Sequence, residues 1–246
     1  MTTPPLAPDD DRASRYYDGF SPTYEHGREA GYHKLIDELE TELVLPLARG
    51  RRCLELGCGT GLILRRVAEV ASHAEGVDIS EGMLEEARRR GLRVQRASVL
   101  ELPYEANTFD LTYSFKVLAH VPEIARALRE AARVTKPGGA MVLEFYNPLS
   151  LRFLAKRLAG PQAVGEGGRE SDISTRWDTP WHVRSMVPPR CRLVALNGVR
   201  VFTPFAAVHR VPMLGSVIAA AERRALRSAL SVFGGFLVAT IEKDAV

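Results

Sequence analysis

The sequence predicts an α/β fold in which helices cover both faces of a mostly parallel β-sheet. Two observations predict it: short apolar segments alternate with amphipathic segments of about ten residues, and a glycine-rich turn joins the first such pair. Of the 246 residues, 46% are hydrophobic and 26% are charged, which excludes disordered, collagen-like and coiled-coil proteins. Because no linker interrupts the chain, we expect a single domain over residues 1–246.

The N-terminal region divides into a tail and a helical part. Residues 1–12 contain three prolines and three aspartates, and we expect them to form a flexible tail. Residues 14–47 have a helical pattern, whereas Pro46 and Gly50 predict its end. Four apolar residues share one face of this predicted helix: Leu35, Ile36, Leu39 and Leu43. Residues 13–50 are therefore expected to be helical.

Residues 51–146 alternate between strand and helix patterns. The predicted strands cover residues 53–56, 74–79, 92–97, 108–114 and 140–146. The predicted helices cover residues 62–70, 81–90 and 122–134. Ser80 is a suitable N-cap for the second helix, and Lys136-Pro-Gly-Gly139 follows the third. Strands that alternate with helices of this length form βαβ units, so the sheet is expected to be parallel.

The pattern changes after Pro148. We predict an amphipathic helix over 149–158, a long polar loop over 160–180, a helix over 212–230 and a final strand over 235–242. Residues 192–202 fit either a pair of strands or one long strand interrupted at Asn197-Gly198.

The turn over residues 57–61 carries most of the chemical information. Its three glycines, at positions 57, 59 and 61, permit a positive φ and a close approach of the backbone to a ligand. The helix that follows offers unpaired amides to an anionic group. A dinucleotide-binding turn would need a sixth-position glycine where this chain has Leu62, which disfavours a nicotinamide dehydrogenase. The turn therefore predicts a binding site for another nucleotide-like ligand.

With Glu55, the turn reads E-x-G-x-G-x-G and resembles motif I of the class I S-adenosylmethionine (SAM)-dependent methyltransferases. Further matches over residues 51–146 resemble the small-molecule subgroup that includes ubiquinone- and menaquinone-biosynthesis enzymes. They are Asp78, Ser80-Glu-Gly-Met83-Leu84, Leu102-Pro-Tyr104, Phe109-Asp110 and Arg133-Val-Thr-Lys-Pro-Gly-Gly139. The resemblance implies a Rossmann-like three-layer sandwich with a mostly parallel seven-stranded sheet and an antiparallel C-terminal strand.

The resemblance also implies SAM as cofactor and S-adenosyl-L-homocysteine as product. Asp78 would bind the ribose hydroxyls, Ile79 and Met83 would contact adenine, and tyrosines of the 13–50 lid would close over the cofactor. The family's usual acid after the third strand is replaced by Ser98, which predicts a weaker, neutral contact with adenine. The expected cofactor-binding residues are Tyr17, Tyr24, Glu55, Gly57, Cys58, Gly59, Gly61, Asp78, Ile79, Met83, Ser98, Val99 and Phe115.

His120 follows the fourth predicted strand and is the candidate general base, because histidine titrates near neutral pH. The alternative is that His120 only shapes the pocket or caps a helix. Residues 147–246 are expected to select the acceptor, since they lie outside the motifs. The candidate acceptor-binding residues are Tyr146, Asn147, Arg152, Arg176, Trp177, Trp181 and His182.

Composition limits the partners. The net charge of +3 argues against a nucleic-acid partner, and no spacing of Cys, His, Asp or Glu predicts a metal site. Three cysteines, no signal peptide and no long apolar run predict a cytoplasmic protein without an integral membrane segment. The basic helix over 212–230 fits peripheral membrane contact less well than packing on the core or on a dimer partner; we expect a monomer or homodimer. A SAM-binding sensor or scaffold, and a protein or nucleic-acid methyltransferase, stay open as alternatives.

Overall fold

A computed structural model describes residues 8–25, 28, 31–159, 163–164, 168–169 and 174–245. The strands are β1 (Arg52–Leu56), β2 (His73–Asp78), β3 (Val94–Arg96), β4 (Phe109–Ser114), β5 (Thr135–Tyr146), β6 (Ala163–Val164), β7 (Gly168–Arg169), β8 (Cys191–Val199) and β9 (Phe236–Lys243). Seven of them form one sheet in the order β3-β2-β1-β4-β5-β9-β8, and β6 pairs with β7. Strands β1 to β5 are parallel, whereas β9 runs antiparallel to both β5 and β8. The predicted mixed sheet with an antiparallel C-terminal strand is confirmed.

Helices cover both faces of this sheet. They are α1 (Pro8–Phe20), α2 (Gly31–Ala48), α3 (Leu62–Ala68), α4 (Glu81–Arg89), α5 (Ile124–Val134), α6 (Leu151–Ala159), α7 (Pro180–Ser185) and α8 (Pro212–Ala225). Alternate residues of β1 point to opposite faces, as the strand period requires. Leu54 joins a buried cluster with Leu128 of α5, and Cys53 joins another with Leu39 of α2. The three-layer arrangement is therefore built from two apolar cores.

The N-terminal region differs from the expectation at two points. Helix α1 begins at Pro8, so residues 8–12 are helical although the sequence predicted a flexible tail; residues 1–7 lie outside the described part. Helix α2 continues through Pro46 to Ala48. A proline cannot donate to the carbonyl four residues earlier, and Arg227 Nη2 donates to that Glu42 carbonyl at 3.2 Å instead. A contact from a distant segment thus supports the helix across Pro46.

The core strands also differ in length from the prediction. Strand β3 is confined to 94–96, whereas β5 begins at Thr135 because that residue already pairs with Phe109 of β4. Ser80 caps α4 as predicted, since its hydroxyl accepts from the Met83 amide at 3.2 Å.

The C-terminal third contains the larger corrections. The predicted loop over 160–180 includes the β6–β7 pair, and α7 begins at Pro180; residues 160–162, 165–167 and 170–173 lie outside the described part. β8 is one strand and is not interrupted at Asn197-Gly198, which pair with Val238 and Leu237. The glycine there serves packing, because a Cβ at Gly198 would lie 1.9 Å from the Ser231 carbonyl oxygen. Helix α8 ends at Ala225, and a 3₁₀ helix follows at Ala229–Phe233.

Three further findings apply to the described residues. No helix among them is long and apolar enough to cross a membrane. They contain no cluster of three or more His, Cys, Asp or Glu side chains suited to a metal ion. The thiols of Cys53, Cys58 and Cys191 are unpaired by disulfides.

Candidate active site

A cavity lies where β1, β2 and β4 end, at the carboxyl edge of the parallel sheet. Gly57 follows β1, Asp78 ends β2 and Phe115 follows β4, and all three line it. Its empty space, counted to the open mouth, is about 1110 Å³. The lining residues are Arg12, Ala13, Tyr17, Tyr24, Gly57, Gly59, Asp78, Ile79, Met83, Ala97, Val99, Phe115, Lys116, Val117, His120, Val121, Pro122 and Ser174.

The glycine turn forms one wall of this cavity. Gly57, Gly59 and Gly61 all have positive φ, at 71°, 52° and 82°, which side chains disfavour. A Cβ at Gly57 would lie 2.2 Å from Val117 Cγ2, and one at Gly61 would lie 2.2 Å from Leu92 Cδ1. Gly57 is therefore required by close packing as well as by backbone conformation, whereas at Gly61 only the end of the Leu92 side chain would have to move.

Asp78 is the acidic group of the cavity. Its Oδ2 accepts from the Gly59 amide at 2.8 Å and its Oδ1 from the Ser80 amide at 2.9 Å. Burial raises the pKa of Asp78, while these backbone amides act in the opposite direction. Each carboxylate oxygen has further acceptor capacity, so the group is suited to a ligand with two neighbouring hydroxyls.

Helix α1, near the N-terminus of the chain, forms part of the cavity wall. Asp18 accepts from the Ser80 hydroxyl at 2.6 Å and from the Gly82 amide at 3.0 Å, which ties α1 to the first turn of α4. Ser14 donates to the Ile79 carbonyl at 3.0 Å. These bonds hold Tyr17, one turn along the same helix, in the cavity wall.

The two predicted lid tyrosines both line the cavity. Burial raises the pKa of Tyr17 well above its usual value, and Tyr146 adds to the shift. Burial likewise raises the pKa of Tyr24, whose ring lies 4.6 Å below the Arg28 guanidinium carbon. Both phenols therefore stay protonated at neutral pH.

His120 also lines the cavity. Its Nδ1 is 3.1 Å from the Ser174 carbonyl oxygen, which can only accept, so Nδ1 carries a proton. In a neutral ring, Nε2 is then the nitrogen that can take up a proton. The ring also meets Tyr146 edge to face, with 5.5 Å between centroids. The geometry suits a general base oriented by a backbone carbonyl.

Three of the expected acceptor residues form an aromatic cluster behind His120. The Arg152 guanidinium carbon lies 4.2 Å from the Tyr146 ring centroid and 5.0 Å from that of Trp177. Phe236 completes the cluster, with its centroid 4.8 Å from the same carbon. Arg152 Nη1 is buried without a hydrogen-bond partner among the described residues. The cluster borders the cavity through the contact between Tyr146 and His120, but it does not line the cavity.

The other expected acceptor residues lie outside the cavity, and three of them contact other parts of the protein. Asn147 is fully buried, and its side-chain amide donates to the Val232 and Gly234 carbonyls at 2.8 and 2.9 Å. Arg176 and His182 both contact the buried Asp178, at 2.8 and 2.9 Å. Trp181 is 63% exposed. None of these four side chains lines the cavity, so the structure does not bring them to the site.

Four of the expected cofactor residues also lie outside the lining. Glu55 is buried under the turn, where it accepts from the Tyr113 hydroxyl at 3.3 Å. Cys58 is buried in a small apolar cluster, Gly61 packs on Leu92, and the Ser98 hydroxyl accepts from the Leu100 amide at 3.1 Å. A hydroxyl donates as well as accepts, so the adenine contact of Ser98 stays a prediction.

Sequence reasoning missed eight lining residues. They are Arg12, Ala13, Ala97, Lys116, Val117, Val121, Pro122 and Ser174. Ala97 and Lys116 are next in sequence to predicted residues, and their positions at strand ends could have identified them. Ser174 and the α1 residues carry no such signal, because only the packing of distant segments brings them here.

The lining fits a nucleoside. Asp78 offers acceptors for a diol, Gly57 and Gly59 leave backbone space, and Ile79, Met83, Ala97 and Val99 supply apolar surface for a flat base. Residues 54–143 match the family described as "Methyltransferase domain".

Two curated relatives are similar in sequence to this chain over segments longer than the motif-bearing region. The 27-O-demethylrifamycin SV methyltransferase of Amycolatopsis mediterranei is 32% identical over 165 residues, covering 62% of this chain and 57% of the relative. A demethylmenaquinone methyltransferase of Corynebacterium urealyticum is 33% identical over 140 residues, covering 56% and 59%. The chain thus spans somewhat more than half the length of these relatives.

The fold is shared with a solved structure from Thermotoga maritima described as a SAM-dependent methyltransferase, possible histamine N-methyltransferase. The TM-score is 0.68 at 19% identity, over 94% of this chain and 99% of that one. At this identity the likeness establishes the fold.

Proposed function

We propose that this chain is a class I SAM-dependent methyltransferase that transfers a methyl group from SAM to a small-molecule acceptor. The observation that carries the proposal is the cavity at the sheet edge, in which Asp78, the glycine turn and two tyrosines meet. The names of the two curated relatives, which refer to small-molecule acceptors, support the acceptor class.

The residues that would hold the cofactor have separate tasks. Asp78 would accept from the ribose hydroxyls, and Ile79, Met83, Ala97 and Val99 would enclose the adenine ring. When bound, SAM would supply a methyl carbon activated by its positively charged sulfur; the acceptor nucleophile would attack this carbon, and the sulfur would leave as the neutral thioether. Tyr17 and Tyr24 would exclude water from the reacting groups.

His120 would remove the proton of an acceptor hydroxyl, amine or carbon acid. Its Nδ1 is oriented by the Ser174 carbonyl at 3.1 Å, which leaves Nε2 as the atom for proton uptake. The cluster of Tyr146, Trp177 and Arg152 lies behind His120 and would support the histidine ring through its contact with Tyr146.

Calorimetry with S-adenosyl-L-homocysteine tests the cofactor assignment. We expect Asp78→Asn to weaken binding by about tenfold or more, because one charged acceptor is lost and the new amide faces a backbone N–H. Glu85→Gln, at an exposed position on α4, is the matched control and should bind like the parent protein. Absence of binding by the parent protein would exclude the proposed function.

Turnover with a panel of phenols, amines and quinone precursors forms the second arm of the same experiment. His120→Gln should lower kcat by about 10²- to 10⁴-fold with a much smaller change in KM for SAM, as expected for loss of a base. Binding of the cofactor without transfer to any acceptor would favour a sensor or scaffold. If kcat is unchanged in His120→Gln, the histidine is not the general base and only lines the cavity.

A further inference from the structure

A buried charged network lies beneath the cavity and has no part in the proposed chemistry. It consists of Arg28, Asp37 and Glu40 from the lid region, Lys116 after β4, and Glu144 of β5; we call it the Lys116 network. Lys116 Nζ contacts Asp37 Oδ1 at 2.7 Å and Glu40 Oε2 at 2.8 Å. The side chains of Asp37 and Glu40 are only 5% and 0% exposed. Solvent therefore screens these charges little.

The network fixes the backbone at the floor of the cavity. Lys116 has a φ of +61°, a left-handed conformation that lysine disfavours. Its amide donates to Glu144 Oε1 at 3.1 Å, while its ammonium is held by helix α2. Lys116 is thus held at both ends, and the next residue, Val117, packs directly against Gly57. All three residues line the cavity.

The same network reaches the lid. Arg28 Nη2 contacts Asp37 Oδ1 at 3.1 Å, and its guanidinium carbon lies over the Tyr24 ring at 4.6 Å. Tyr24 and Lys116 line the same cavity. One chain of contacts therefore connects the lid wall to the floor through α2.

The Lys116 network would carry a net negative charge if all of its carboxyl groups were ionised. Three carboxyl groups face two bases, and Glu40 Oε1 and Glu144 Oε2 are buried with no hydrogen-bond donor for them among the described residues. Burial raises the pKa of each glutamate, that of Glu144 well above its usual range. A hydrogen bond between the two side chains raises the pKa of Glu144 further and lowers that of Glu40, as expected when Glu144 carries the proton. A single proton on Glu144, donated to Glu40, pairs both orphaned oxygens and balances the charges.

We propose that Glu144 and Glu40 share one proton and that the resulting neutral Lys116 network positions the Lys116 turn and Tyr24 for cofactor binding. These are positioning residues, since they act on the cavity through Lys116 and Tyr24. Glu55 faces the network from β1 but has its own partner in the Tyr113 hydroxyl. The proposal rests on the proposed function only for the identity of the ligand.

A double-mutant cycle on the two glutamates tests the shared proton. Glu144→Gln keeps a donor toward Glu40 and an acceptor for the Lys116 amide, so affinity for S-adenosyl-L-homocysteine should change by less than about twofold. Glu40→Gln should weaken it only by a few fold, because Glu144 can then ionise. The double variant cannot restore the missing charge, and we expect a loss of about tenfold beyond the product of the single effects.

The matched control is the double variant Glu101→Gln/Glu123→Gln. These two glutamates also flank one arginine, Arg126, at 3.5 and 4.0 Å, but they are exposed. Their effects should be near zero and multiplicative. If the effects of Glu40 and Glu144 are also multiplicative, the shared proton is excluded.

Lys116→Met separates positioning from general stability. Calorimetry is performed on protein whose cooperative thermal unfolding shows that it is folded, and affinity should fall by about tenfold or more. Unchanged affinity in folded Lys116→Met overturns the positioning role, and this variant decides the matter if the double variant does not fold. Failure of the parent protein to bind is a different result: it removes the ligand assignment, and the shared proton is then judged by non-additive unfolding temperatures.

Discussion

Gly57 shows how much a single residue of the site depends on a distant one. It shares a positive φ with Gly59, yet a Cβ at Gly59 would meet nothing within 4 Å, whereas one at Gly57 would lie 2.2 Å from Val117 Cγ2. A side chain at Gly59 would therefore cause backbone strain alone, whereas one at Gly57 would cause backbone strain and a steric clash.

We predict that Gly59→Ala lowers the free energy of unfolding by about 1–2 kcal/mol, the cost of a left-handed non-glycine residue. Gly57→Ala should cost clearly more, because Val117 must also move. Urea denaturation measures both effects. Part of the Gly57→Ala loss should vanish in a Val117→Ala background; equal losses in the two backgrounds would contradict the steric account.

Asp78 occupies the position that the sequence predicts for it, and its role in ribose binding stays a prediction. Its position at the end of β2 and its place in the cavity wall follow from the strand pattern and the resemblance. Ser98 lies at the expected place in the chain but outside the cavity lining, where its hydroxyl accepts from the Leu100 amide. Local geometry of a few ångströms decided this difference, and sequence spacing does not resolve it.

At the scale of elements, the docking of α1 on α4 forms the rim of the site. The carboxylate of Asp18 accepts from Ser80 and Gly82, and Gly82 leaves room for Ser21, whose Oγ would lie 2.7 Å from an added Cβ. The first turn of α4 has unpaired amides and favours a negative charge. Asp18 is therefore a capping group supplied by another helix.

We predict that Asp18→Ala weakens the docking of α1 by about 0.5–2 kcal/mol, the usual value of a helix cap. Limited proteolysis should then cleave within residues 8–20 faster, and affinity for S-adenosyl-L-homocysteine should decrease. Asp11→Ala is the matched control, since the Asp11 carboxylate contacts Arg15 on the same helix at 2.8 Å. Identical cleavage rates in the two variants would show that Asp18 does not hold α1.

At the scale of the whole molecule, the pattern of shifted carboxyl groups sets the pH dependence of stability. Burial opposes ionisation of Asp37, but Lys116 and Arg28 outweigh it and its pKa is lowered. Burial raises the pKa of Glu144 with the further influence of Glu40, while Lys116 acts against it. The Asp37 carboxylate therefore stabilises the fold at pH values above the pKa that it has in the unfolded chain. Glu144 instead destabilises the fold as the pH rises.

We predict that Glu144→Gln gains stability relative to the parent protein as the pH rises from 5 to 8. The unfolded glutamate ionises near a pKa of about 4.3, whereas the folded one holds its proton, so the parent loses up to about 1.4 kcal/mol per pH unit from this group. Glutamine has no such dependence. Thermal unfolding at several pH values measures the difference, and a constant difference would mean that Glu144 is ionised in the fold.

The sequence alone determined the α/β class, the order of the core elements and the glycine turn followed by the Asp78 strand. These features depend on hydrophobic periodicity and on backbone conformations that few residues adopt, and both are local properties of the chain. The continuation of α2 through Pro46, the 3₁₀ end after α8 and the structural contacts of Asn147 depended on partners far away in sequence. Only the tertiary structure decided that Lys116 of the cavity floor is held by two buried glutamates, because desolvation couples groups that share space and not sequence.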